Sequence, residues 1–207
     1  MTKTDAPEVP RPEVPRPEVP GAARADSDDA RADSESARAD RILKAETRRG
    51  PWSLEDLAGE LRRRKTVGNK IVMTNGCFDL IHVGHVRTLQ AARALGDALV
   101  VAVNTDASIR GLEKAPGRPI VPEGERAEVL SALACVDYVV LFDEPDPRRV
   151  VRMLEPDVLV KGGDWSPDTI LGREEVEARG GRVVALPDIP GVRTSRIIER
   201  VLAKDES

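Results

Sequence analysis

Both histidines of the chain stand three residues apart around a glycine, as His82 and His85 in the stretch Asn75–His85, NGCFDLIHVGH. Three kinds of chemistry use such a pair. Incidental surface or core histidines are the plainest, but two in four residues, in a chain that has no others, make a poor accident. Metal binding would recruit Cys77, giving Cys-x4-His-x2-His. Zinc asks for four protein ligands, or three and a water, and no further histidine exists to complete that set. Anion binding is the third. Gly76 and Gly84 permit close backbone approach, and a helix that starts beside His82 would aim free N–H groups and its dipole at a phosphate. Two imidazoles over that helix end would add donors able to follow negative charge as it develops.

The elements that must hold this stretch can be read on either side of it. Trp52–Arg64 (WSLEDLAGELRRR) opens with Ser53 as N-cap and Asp56 three residues on, a near capping box, with Trp52 and Leu57 placed as a hydrophobic staple. Strand and helix patterns then alternate: strand at 70–74, helix at 84–96, strand at 97–104, short helix at 105–112 and helix at 123–134. They continue with strand at 136–142, helix at 146–156, strand at 157–163, helix at 168–181, strand at 182–187 and helix at 194–204. The strands are continuous apolar runs such as DALVVAVN rather than alternating ones. That pattern predicts an α/β fold, a Rossmann-like parallel sheet with helices on both faces. Ligands in such folds sit outside the carboxyl ends of the strands where strand order reverses. Asn75–His85 leaves the carboxyl end of the first strand, so both histidines fall at the expected solvent-facing ligand edge.

Composition narrows the classes. The first forty residues combine the repeat PEVPRPEVPRPEVP with a seven-residue Ala-Arg-Ala-Asp repeat. Alanine is the sole apolar residue of the latter, too little to offset ordering entropy. Residues 1–45 are expected to form a disordered tail carrying no catalytic group, and residues 46–207 one domain. The first forty residues hold six basic and ten acidic side chains, which accounts for the whole net charge of -4. The balanced remainder offers no basic field for nucleic acid. No apolar run approaches the roughly 18–20 residues of a membrane helix, and the start lacks a secretory signal. Two cysteines, Cys77 and Cys135, suggest no disulfide framework. A cytoplasmic protein is the expectation. Neither a Walker loop nor a G-x-G-x-x-G after the first strand is present, which argues against P-loop chemistry and dinucleotide redox chemistry.

At GCFDLIHVGH the chain resembles the H-x-G-H nucleotidyltransferases, in the G-x-F-D-x-x-H-x-G-H form of their cytidylyltransferase-like branch. Within that branch it is similar to the D-glycero-β-D-manno-heptose 1-phosphate adenylyltransferases, including the adenylyltransferase half of bifunctional heptose kinase/adenylyltransferases. The likeness runs from about Lys70 to Leu202 through the ordered blocks KIVMTNGCFDLIHVGHV, VAVNTDASI, GRPIVPEGERAEVLSAL, VDYVVLF, PDVLVKGGDW and TSRII. The resemblance implies that His82 and His85 bind a triphosphate and stabilise the transition state. Gly76 and Phe78 would line the nucleotide. Asp79 would organise the loop or a Mg2+ ion, or else cap the next helix. Asn104 and Asp106 would join them after the second strand. Arg118 and Lys161 would contact sugar phosphate or triphosphate, unless they are solvated surface charges. Thr194 and Ser195 would offer donors at the start of the last helix, where this chain reads Arg-Thr-Ser-Arg in place of a Ser-Thr-Thr-Asn-like run.

The implied reaction is ATP plus a heptose 1-phosphate giving ADP-heptose and pyrophosphate. A cytidylyltransferase acting on a polyol or alcohol phosphate is the alternative that shares the same histidines. The attacking oxygen is already an anion, so alignment and charge stabilisation suffice, and Cys77 need not be a nucleophile. Mg2+ is the expected cofactor, held mainly through the triphosphate and not in a protein-only site. The small-molecule partners would be ATP and the sugar phosphate, the latter supplied by a separate sugar kinase. A homodimer is left open.

Overall fold

A computed structural model describes residues 50–112, 117–163 and 165–205, with the backbone alone at Lys204 and Asp205. The expected tail, residues 1–45, lies outside the described residues. All described residues belong to the second of the two units into which the chain divides, Glu46–Ser207.

Helix α1 (Leu54–Thr66) starts at Ser53, whose hydroxyl accepts from the Asp56 N–H, as the capping pattern requires. Strand β1 (Ile71–Gly76) leads to α2 (Val83–Arg93), and β2 (Ala98–Asn104) to the short α3 (Asp106–Gly111) and to α4 (Glu123–Ala132). Strand β3 (Tyr138–Phe142), α5 (Arg148–Leu154) and β4 (Val158–Gly162) follow. A 3-10 turn at Pro167–Thr169, α6 (Arg173–Glu177), β5 (Arg182–Leu186) and α7 (Thr194–Asp205) complete the order.

The five strands form one sheet in the order β3-β2-β1-β4-β5, parallel at every pairing. Side chains along β1 alternate between two cores. Ile71 and Met73 pack with Leu57 and Leu61 of α1, Val150 and Leu154 of α5, and Val176 of α6. Val72 packs with Leu89 and Ala92 of α2 and Ala127 and Leu130 of α4. All seven residues of β2 are buried, which explains why the strands read as unbroken apolar runs: both faces are covered. After β3 the chain returns across the sheet to lay β4 beside β1. Strand order therefore reverses between β1 and β4, the crevice expected to hold a ligand.

Two expectations need adjustment. The helix read over 168–181 is instead the 3-10 turn and the five-residue α6, because Gly172 between them takes φ 96°, and a Cβ there would meet Val151 at 2.9 Å. The helix read over 146–156 starts later, at Arg148. Asp146 accepts from the Arg148 N–H, and Glu155 in the left-handed region ends the helix. The ring of Trp52 meets Tyr138 edge-on at 5.6 Å, while its backbone pairs with Val140 and extends the β3 edge.

Candidate active site

The chain leaving β1 makes the site. Phe78 adopts φ 47°, a left-handed conformation that costs a non-glycine residue energy and clusters at functional loops. Its ring lies 5.3 Å from that of His85. His82 has extended backbone angles and is the N-cap of α2, with Nδ1 accepting from the His85 N–H at 3.3 Å. The two imidazoles stack, centroids 3.8 Å apart and 16° from parallel. Gly84 makes this possible. A Cβ at that position would come within 2.9 Å of the His82 ring, so the glycine of the triplet is there for close approach.

This arrangement refines the expected cradle of donors. One His82 nitrogen is an acceptor and consumes one of the helix's free N–H groups. Neutral His82 therefore carries its proton on Nε2 and presents that nitrogen as the donor. Burial lowers the His82 pKa, and the Asp188 carboxylate partly offsets the shift. Burial, together with the positive charges of His82 and Arg118, brings His85 down to about 4 from 6.5. Both rings are thus neutral near pH 7. His85 Nδ1 is buried with no hydrogen bond of normal geometry. The nearby Leu80 carbonyl favours the protonated ring without outweighing burial.

Asp79 does the work of organising the loop. Its carboxylate accepts from the Ile120 N–H at 2.8 Å, the Val121 N–H at 3.0 Å and Arg118 Nε at 2.9 Å. Burial alone would raise its pKa; those donors outweigh it and hold the group below its ordinary value. The helix-cap role belongs to His82 instead. Arg118 is accordingly no solvated surface charge, since it reaches the cavity from an ion pair with a wholly buried carboxylate.

A cavity of about 470 Å3 opens over the carboxyl ends of the strands, within the range of small-molecule sites. Gly76, Phe78, Asp79, His82, His85, Asn104, Arg118, Lys161 and Thr194 all line it. Lys161, at the end of β4, donates Nζ to the Asn75 carbonyl at 3.0 Å and to its side-chain oxygen at 3.2 Å, bridging the crevice between β4 and β1. Two expected residues are not brought to the wall. The Asp106 carboxylate turns to Arg126 at 2.7 Å, and Ser195 is exposed on α7 beyond Thr194.

Residues 73–200 match the Cytidylyltransferase-like family, more than half of the chain. The chain belongs to that family. It is 57% identical over 151 residues to the bifunctional protein HldE of Citrifermentans bemidjiense, a match covering 73% of this chain and 31% of that protein. The bifunctional protein HldE of Syntrophotalea carbinolica is 53% identical over 154 residues, covering 74% and 31%. The chain thus spans about a third of the length of these curated relatives. Among solved structures, the lipopolysaccharide core biosynthesis protein of Thermoplasma volcanium is 32% identical with a TM-score of 0.50, covering 59% of this chain and 98% of that one.

Membership of the family leaves several cavity residues that the motifs did not single out. Trp165, whose ring centroid is 5.7 Å from Lys161 Nζ, and Asp188, which receives Arg193 at 2.8 Å, both line the wall. Asp188 was findable by rule, since it follows the carboxyl end of β5. The signal for Arg126 was a charge on the apolar stripe of α4, beside Ala127 and four residues before Leu130. Among the described residues no helix is long and apolar enough to cross a membrane, and no cluster of three or more His, Cys, Asp or Glu is arranged to hold a metal ion.

Proposed function

We propose that this domain transfers AMP from ATP to a heptose 1-phosphate, releasing pyrophosphate and ADP-heptose. The observation that carries the reading is the stacked neutral pair His82–His85 at the start of α2, in the crevice where strand order reverses. A sugar phosphate oxygen attacks the α-phosphorus. A new P–O bond forms, the bond to the bridging α,β-oxygen breaks, and pyrophosphate leaves with that electron pair. The protein need supply only alignment and donors placed where negative charge grows. His82 Nε2–H, the free N–H groups of α2, Arg118 and Lys161 are such donors. Neutral imidazoles suit this task, because they neither take a proton from the already ionised acceptor nor lose their own.

Mg2+ would come on the triphosphate. Among the described residues the carboxylates on the cavity wall, Asp79 and Asp188, are already paired with Arg118 and Arg193, so these described groups offer donors to phosphate rather than a cage for a cation. Bound there, the ion would neutralise phosphate charge. The sugar substrate follows from the resemblance to heptose 1-phosphate adenylyltransferases, supported by similarity to the HldE proteins. Its anomeric phosphate must be installed earlier by a sugar kinase.

The family's description keeps a second base in view. Pyrophosphate release with ATP, CTP and GTP, each against several sugar 1-phosphates, tests the choice. ATP should be used at least about tenfold better than CTP, a difference of roughly 1.4 kcal/mol in transition-state binding. A preference for CTP with a polyol or alcohol phosphate would replace this reading by the cytidylyltransferase one.

A further inference from the structure

By residue volume, the largest of the fully buried side chains among the described residues is a cation, Arg126 of α4. Its Nε donates to the Val121 carbonyl at 2.9 Å, and one terminal nitrogen to the Cys77 carbonyl at 2.5 Å. The other terminal nitrogen donates to the Asn104 carbonyl at 2.8 Å and to the Asp106 carboxylate at 2.7 Å. All three nitrogens are engaged with four acceptors on three separate segments. A buried ion pair is weak evidence for stability, because apolar residues of similar volume often serve as well. The acceptors indicate what the guanidinium does instead.

Every one of them is a short step from a group on the cavity wall. Cys77 precedes Phe78, whose left-handed turn sets its ring against His85. Asn104 itself lines the cavity at the end of β2. Val121 belongs to the segment whose N–H groups fix the Asp79 carboxylate, which in turn holds Arg118. Glu123 of the same helix accepts from the Asp106 N–H at 2.6 Å, so the first turn of α4 grips the start of α3 twice. Among the described residues, Arg126 ties the loops after β1 and β2 to the Ile120–Val121 segment through one side chain.

We propose that Arg126 is a positioning residue for the phosphate-facing side of the cavity. It fixes the separation of the loops after β1 and β2, and through them the poses of Phe78, His85 and Arg118. A planar fork can span four carbonyl and carboxylate oxygens; a lysine ammonium keeps the charge but cannot. The turnover arm of the test rests on the proposed nucleotidyl transfer. The spectroscopic arm does not.

Two full-length variants test this, Arg126→Lys and Asp106→Asn, each compared with wild type at equal folded concentration set by thermal melts. One readout is kcat and KM for ATP by pyrophosphate release. The other is the 1H–13C NMR spectrum of the imidazole rings, which contains two residues only and reports the His82–His85 stack and the Phe78 ring through ring currents. Arg126→Lys should lower kcat by about 10²-fold, the scale of a misplacement near 1 Å. KM for ATP should stay within about threefold, and the His85 ring signals should be displaced. Asp106→Asn should displace the same signals less and lower kcat less. A folded Arg126→Lys protein with wild-type kcat and unmoved ring signals overturns the proposal. If Arg126→Lys does not fold, Asp106→Asn decides: displaced signals with reduced kcat support it, and a lower melting temperature with both unchanged overturns it. If wild type releases no pyrophosphate with any pair, the nucleotidyl-transfer reading fails, and the ring signals alone decide the role of Arg126.

Discussion

At the amino ends of the strands, three aspartates finish the sheet. Asp97 accepts from the Lys70 N–H, Asp157 from Ile71 and Asp137 from Leu99, each at 2.7 or 2.8 Å. Arg93 pairs with Asp137 and Lys65 with Asp157. At the carboxyl ends the same kinds of group meet a different fate. Asp79 and Asp106 are also paired with arginines, but their arginines brace a loop with a left-handed Phe78, a stacked imidazole pair and a buried nitrogen lacking a hydrogen bond. At the amino end these carboxylates are spent on strand N–H groups, and the left-handed Glu155 there only ends a helix. The carboxyl end holds its left-handed residue and its unmet polar capacity next to a cavity, which is where a fold can bind charge that is not its own.

The sharpest way to break this contrast is at His85. Replacement by alanine should lower kcat by roughly 10²–10³, about 3–4 kcal/mol, by analogy with loss of a preorganised oxyanion donor, while KM for ATP changes little. Steady-state pyrophosphate release checks it, and a stable variant with full turnover would remove the histidines from the mechanism. Because His85 is packed against Phe78 and His82 rather than standing at an open edge, some loss of melting temperature should accompany the change.

The next effect is on Asp79. Asp79→Ala strands Arg118 and two backbone N–H groups, and should cost about 3 kcal/mol in urea unfolding, as when one partner of a buried pair is removed. Retention of wild-type stability would show that the loop is held by something else.

Acid should sharpen the contrast further. With its pKa lowered to about 4 on folding, His85 stays neutral in the native state while the unfolded chain binds a proton below 6.5. Stability is therefore complete above about pH 6.5 and is lost as pH falls towards 4. The loss amounts to at most about 3 kcal/mol, with His82 acting in the same direction. Unfolding free energies measured from pH 7 to 4 in wild type and His85→Asn give the test. The substitution should flatten the acid limb, and identical slopes would refute the assignment.

The smallest effect belongs to the other end. Asp157→Asn weakens one charge-assisted bond to a strand N–H and a partly exposed ion pair, so about 1 kcal/mol of stability should be lost with kcat unchanged. A loss of turnover there would mean that the two ends are not separable.

Much of this protein was legible in its residues. Unbroken apolar strands alternating with helical periods require a parallel sheet covered on both faces, since only double burial leaves no polar alternation. The stretch after β1, at the carboxyl end of a strand, put both histidines at the ligand edge by topology alone. Ser53 capped α1 because a side-chain oxygen next to a helix start answers a local need. Much of what is local in sequence, within about four residues, was determined there, but not that Gly84 makes room for the His82 ring or that this ring caps the helix by accepting from the His85 N–H. Contacts spanning many residues were not. Nothing in the run DLIHVGH says that Asp79 will accept from residues 41 and 42 positions later, or that Asp106 will turn to Arg126 and away from the cavity. Those outcomes depend on which groups the packed sheet leaves without water. Burial fixes the protonation of His85, and the distance between the loops after β1 and β2 fixes which oxygens the guanidinium of Arg126 can reach.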